Sequence, residues 1–128
     1  MKEPRFLQIE QVLELHEESI NQYGGTHGLR DPGGLESAVM QPQNVFFYAN
    51  GSLFDIAAAY AFHIAEAQAF LDGNKRTAAT SALAFLGDNG VNIRFDSLPA
   101  LHVAMIAIAN RQLDKPGLAA LLCKLASQ

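Results

Sequence analysis

Cysteine and tryptophan are almost absent: the chain has one cysteine, Cys123, and no tryptophan. A lone thiol excludes an internal disulfide and a zinc site built from cysteines alone, and by itself Cys123 reads as a small buried apolar residue. Long apolar runs are missing too, none reaching the ~18 residues of a membrane span. The start, Met1-Lys2-Glu3-Pro4-Arg5, does not read as a signal peptide. A cytoplasmic protein with no membrane partner is therefore expected. Positive charge is scarce, with 9 Lys+Arg against 13 Asp+Glu and a formal charge of −4, so the broad basic footprint of a nucleic-acid binder is lacking. What is abundant is apolar: 49% of 128 residues, enough to bury the core of one domain over residues 1–128. Repeats, linkers and low-complexity tracts are not found.

The apolar spacing is helical almost throughout. Ile9, Val12, Leu13, Ile20 and Tyr23 follow a 3.6-residue period that also carries His16, and Gly24-Gly25 stops it. Asp31-Pro32 is an N-cap followed by a first-turn proline, predicting a short helix to about Met40, ahead of Pro42. Asn44-Val45-Phe46-Phe47-Tyr48 is rich in strand formers and Asn50-Gly51 is a turn signal, so residues 43–52 read as an extended flap or small hairpin. The helical period returns from Leu53, breaks at Phe70-Leu71-Asp72-Gly73, resumes near Asn74 and ends at Asn89-Gly90. Val91–Phe95 reads as an extended connector. Helices over about Leu98–Asn110 and Gly117–Ala126 complete an all-α bundle of about six helices.

One polar segment interrupts this pattern: Gln68-Ala69-Phe70-Leu71-Asp72-Gly73-Asn74-Lys75-Arg76-Thr77. A helix starting there offers unpaired N–H groups and the positive end of its dipole, an anion site. Gly73 permits close backbone approach and positive φ. Lys75 and Arg76 sit in the first turn, where cations oppose the dipole unless an anionic ligand compensates them. Asp72 can cap the helix or hold Mg²⁺ beside phosphates. The plainer alternative makes Asp72 a cap and the two cations solvated surface charges. A P-loop is a poor fit, because the glycine spacing and the preceding strand are missing.

This segment, with Tyr60-Ala61-Phe62-His63-Ile64-Ala65 before it, resembles the signature of the Fic/Doc family, nearest its death-on-curing branch of toxins. The flanks agree: Tyr23-Gly24-Gly25, Gly28-Leu29-Arg30-Asp31, Leu35-Glu36-Ser37-Ala38 and Ala84-Phe85-Leu86. The resemblance spans roughly residues 9–95, with its core at about 53–90. It implies a compact helical bundle that transfers part of a nucleotide, ATP with Mg²⁺, to a protein hydroxyl. For the death-on-curing branch it implies phosphate transfer to elongation factor Tu and arrest of translation. Asp72 would then hold Mg²⁺ or orient the hydroxyl, and the backbone at Gly73 and Asn74 would form the anion hole. Lys75 and Arg76 would neutralise phosphate charge. Phe70 would be buried and fix the loop. Val45, Phe46, Phe47 and Tyr48 would form the flap on which a target segment pairs as an added strand.

Two positions depart from the family pattern. Ala79 stands where the AMP-transferring branch has a second arginine, which weakens AMP transfer as the reading. Gln68 stands where the family has its catalytic histidine, four residues before Asp72. A glutamine amide aligns a hydroxyl but accepts no proton at neutral pH, and loss of a general base lowers rates by about 10²–10⁴-fold. His63 lies about 140° round the same helix from Gln68 at 3.6 residues per turn and reads as a supporting residue. His16 and His102 read as satisfied core histidines, and His27 has no metal-ligand spacing. The implied function is a weakened toxin transferase; the alternative is an inactive relative that binds nucleotide or an antitoxin. No Ser/Thr-x-x-x-Glu-Gly/Asn inhibitory pattern is found, so a small antitoxin acting in trans is the expected partner.

Overall fold

A computed structural model describes residues 2–127; the single-domain expectation over 1–128 extends at Met1 and Gln128 beyond the described residues. Six α-helices follow in order: α1 (Ile9–Tyr23), α2 (Pro32–Ala49), α3 (Leu53–Ala67), α4 (Asn74–Asp88), α5 (Leu98–Ala109) and α6 (Lys115–Ala126), with a 3₁₀ turn at Phe95–Ser97. The fold is all-α, as the spacing predicts. α3 lies at the centre, packed against α4, α2 and α6. Ala57, Ala58, Ala59 and Ala61 are buried along it, and such small side chains let neighbouring helices approach on several sides.

The caps explain where the helices start. Asp31 accepts a hydrogen bond from the Gly34 N–H at 2.9 Å and leads into Pro32, starting α2 as expected. Ser52 and Asp55 form a reciprocal capping box at the start of α3. Asp114 caps α6 through the Gly117 N–H at 2.8 Å, so that helix begins at Lys115, slightly earlier than the sequence suggests.

The flap is the main correction. Residues 44–48 are not extended: α2 runs through Pro42 to Ala49. Burial overrides the proline signal, because Leu35, Ala38, Val39 and Pro42 form one buried stripe, and Val45 and Phe46 continue it against the core. Phe6 meets Phe46 and Phe47 at 6.0 Å between ring centroids, anchoring the extra turns. Asn50, in the left-handed region at φ 51°, then stops the helix, and the Gly51 N–H returns to the Val45 carbonyl. Asn50-Gly51 is thus a helix stop and not a hairpin turn. A helix has no free strand edge, so Val45–Tyr48 does not offer the strand-pairing flap that the resemblance implies.

Two further residues differ from expectation. Cys123 is exposed on α6, not buried, because Leu118, Ala119, Leu122 and Leu125 take the inward positions. His102 is exposed as well, since Leu101, Ala104, Met105 and Ile108 form the inward stripe of α5. The segment before α1 is strapped down: the Tyr60 hydroxyl, fully buried, accepts from the Leu7 N–H at 2.9 Å. Burial pushes that phenol up to about 12.

Candidate active site

The segment joining α3 to α4 is held by three sets of contacts. Asn74 binds the Phe70 backbone twice, accepting from its N–H and donating to its carbonyl, both at 3.0 Å. The α1–α2 loop clasps the segment from outside. Leu29 and Phe70 form a lone antiparallel bridge, the Arg30 and Asp31 N–H groups donate to the Ala69 carbonyl, and the Leu71 N–H donates to the Gly28 carbonyl. The Arg30 guanidinium also donates to the Gln68 carbonyl. From α1, buried His16 stacks on Phe70 with centroids 3.8 Å apart and its Nε2–H donates to the Asp72 carbonyl at 2.8 Å. His16 is therefore a satisfied buried histidine, as the sequence suggests, but one that shapes the site. Its stacking on the motif loop has no signature in local spacing.

Glycine is required at two points of this clasp. Gly73 has φ 75°, and a Cβ there would lie 3.1 Å from Ile20 Cδ1. At Gly25, φ 121°, a Cβ would meet the Asp72 carboxylate at 2.7 Å. Gly25 thus leaves room for the carboxylate of the motif.

Asp72 is not the helix cap: that position is Gly73, which gives α4 no side-chain capping bond. The carboxylate accepts from the Thr26 N–H at 3.1 Å and the Gly73 N–H at 2.8 Å. These two bonds, the Thr26 one first, hold the carboxyl below the usual carboxylate range, with Arg76 adding to them, so Asp72 is ionised at neutral pH. The first turn of α4 leaves the N–H groups of Asn74, Lys75 and Arg76 without intrahelical partners. Arg76 lies over the Tyr23 ring, 4.7 Å from its centroid, while Lys75 is exposed.

These residues open onto one cleft of about 1080 Å³. Gln68, Asp72, Gly73, Asn74, Lys75 and Arg76 all line it; Val45, Phe46, Phe47 and Tyr48 do not. The Asn74 side chain is held by Phe70 through Oδ1 and one of its two amide N–H donors, and its backbone N–H belongs to the open first turn of α4. Gln68 is exposed at the end of α3, in the left-handed region at φ 45°. The far wall, unsuspected from the sequence, comes from α5 and the α5–α6 turn: His102, Ile108, Ala109, Arg111, Gln112, Leu113 and Asp114.

The donor set suits a metal bound mainly by its substrate. Among the described residues no group of three or more His, Cys, Asp or Glu converges on a metal position. Asp72 is a single exposed carboxylate that keeps lone pairs beyond its two N–H bonds. Mg²⁺ accepts one carboxylate together with phosphates and waters, so these residues fit it as part of a metal–nucleotide complex.

His63 points elsewhere. Its Nε2 accepts from Lys115 Nζ of α6 at 3.0 Å, and it does not line the cleft. Partial burial, then Lys115, holds its pKa below 6.5, with Glu66 opposing them. The unfolded chain therefore takes up this proton first. Stability is full above about pH 6.5, falls as pH drops through that value, and levels off once the folded histidine also protonates. The melting temperature should fall between about pH 7.5 and 5.5, and His63→Gln should flatten the slope. An unchanged slope in that variant would assign the effect to another group.

A six-helix bundle whose uncapped helix start carries two cations beside an ionised aspartate presents a candidate anion site on a helical domain. The comparisons with known proteins narrow it. The Fic/DOC family model matches residues 6–86. The chain is 36% identical over 122 residues to the Protein kinase doc of Escherichia phage P1, covering 94% of this chain and 95% of that protein. It is 36% identical over 108 residues to the Toxin Doc of Mycolicibacterium smegmatis, covering 82% and 83% of the two chains. The chain belongs to the Fic/Doc family.

Proposed function

We propose that the protein is the toxin of a toxin–antitoxin pair, transferring the γ-phosphate of ATP to a hydroxyl of a protein target such as elongation factor Tu. The observation that carries this reading is the convergence of Asp72, Lys75, Arg76 and the free N–H groups of α4 on one nucleotide-sized cleft. The names of the phage and mycobacterial relatives support the kinase and toxin parts. Ala79, in place of a second arginine, favours phosphate over AMP transfer.

In this reaction the target oxygen attacks the γ-phosphorus, the bond to the β-bridging oxygen breaks, and ADP leaves. The N–H groups of Asn74, Lys75 and Arg76, with the two cationic side chains, receive the charge spread over the transferred group. Asp72 orients the hydroxyl or carries Mg²⁺, which would supply further neutralisation of phosphate charge. The proton passes to solvent, because Gln68 has no basic atom and the Asp72 carboxylate is a weak acceptor. Positioning and charge neutralisation dominate such transfers, so activity survives at a reduced rate. Exposed Phe47 and Tyr48 suit target docking by their side chains. A small antitoxin is the expected restraining partner.

Gln68 favours one second reading, a relative that binds nucleotide or antitoxin without turnover. Parallel assays with γ- and α-labelled ATP, Mg²⁺ and elongation factor Tu separate the readings. Label from the γ position alone is expected; label from the α position would mean AMP transfer. Bound ATP with no transfer would favour the binding module or another target.

A further inference from the structure

The α5–α6 turn carries a charge that the motif does not account for. Arg111 lines the same cleft as Lys75 and Arg76 but lies outside residues 6–86 of the family match. It is exposed, and among the described residues the ion pair found is Arg94–Asp96, leaving Arg111 without an acidic partner. Besides Asp72, two carboxylates share the cleft, Asp114, which caps α6 through one oxygen, and Glu66, and neither forms an ion pair with Arg111.

Its backbone is unusual for an arginine. The Arg111 N–H donates to the Ile108 carbonyl at 3.0 Å and the Gln112 N–H to the Ala107 carbonyl at 2.8 Å, a Schellman closure of α5. That closure requires positive φ at its central residue, normally glycine or asparagine, and Arg111 adopts φ 61°. The dipole of α5 welcomes a cation at its C-terminal end but does not require one in this strained conformation. With the α6 cap closing the other side, the turn has a defined backbone from which Arg111 lines the cleft.

Resting on the nucleotide reading above, we propose that Arg111 is a specificity residue that binds the phosphate oxygens left on the nucleotide after transfer. The start of α4 holds one phosphoryl group. A planar fork on the opposite wall suits the remaining phosphates, which it can bind through two N–H groups at once. The consequence is selection by chain length: a triphosphate reaches both walls and a monophosphate only one.

Calorimetric titration of the purified protein with ATP, ADP and AMP, each with Mg²⁺, tests this. The intact protein should bind ATP more tightly than AMP. Arg111→Ala should weaken ATP about 10- to 100-fold and leave AMP within about twofold, with Arg111→Lys between them. Arg111→Gly should lose ATP affinity equally while melting about 2–5 °C higher, because glycine relieves the strained turn. Unchanged ATP affinity in Arg111→Ala, or equal losses for ATP and AMP, would overturn the assignment. If the intact protein binds none of the three, the nucleotide reading itself fails and takes this assignment with it.

Discussion

Restoring a histidine at position 68 is expected to raise label transfer by about 10²–10⁴-fold, the usual contribution of a positioned general base. The backbone is already suited to the change. Residue 68 is left-handed, at φ 45°, and histidine is enriched there relative to most non-glycine residues. Its carbonyl stays anchored by Arg30, and its side chain already lines the cleft. Gln68→His should also add a pH dependence centred near the ordinary histidine pKa of about 6.5, a contribution that the amide of Gln68 does not supply. Transfer assays at several pH values give both readouts. A variant that binds ATP and shows no gain would mean that the rest of the site is not competent, and the non-catalytic reading would then stand.

The second large effect is on stability. Phe70→Ala should lower unfolding free energy by about 3–5 kcal/mol, the range for truncating a buried phenylalanine. Phe70 is 1% exposed and stacked on His16. A chain of this size loses about 3–5 °C of melting temperature per kcal/mol, so the midpoint should drop by roughly 9–25 °C. The loss should not stay local, because the Phe70 backbone carries both the Leu29 bridge and the Asn74 clamp. Nucleotide affinity should therefore fall even well below the new midpoint. Thermal unfolding followed by circular dichroism decides it: a shift of only a few degrees would mean that the motif loop is not packed as described.

Much of the bundle is legible in residue order because local physics decides it. Gly24 ends α1, Asp31-Pro32 starts α2, and the break at Phe70–Gly73 separates α3 from α4. Where local signals compete with burial, the reading fails. Strand formers and Pro42 argued against helix at residues 44–48, yet the buried stripe of α2 carries the helix past them. α5 misleads for a different reason. It is apolar nearly all round, with Val103 and Ile106 exposed, so periodicity does not reveal that His102 faces outward. The near wall of the site is one contiguous segment and could be read. The far wall meets it only through packing, and no local pattern in Arg111–Asp114 announces the meeting.

The clasp on the motif loop also bears on the order of assembly. Thr26 reaches Asp72 across 46 residues, and His16 reaches it across 56. Closing such spans is opposed by chain entropy that individual helices do not face, so the helices can form before the anion hole does. On the proposed function, a chain whose first helix and first loop have not closed on the motif lacks the assembled site. A partner that reads the finished cleft has nothing to grip before that moment. A partner that must prevent all activity has to be present by the time the clasp shuts.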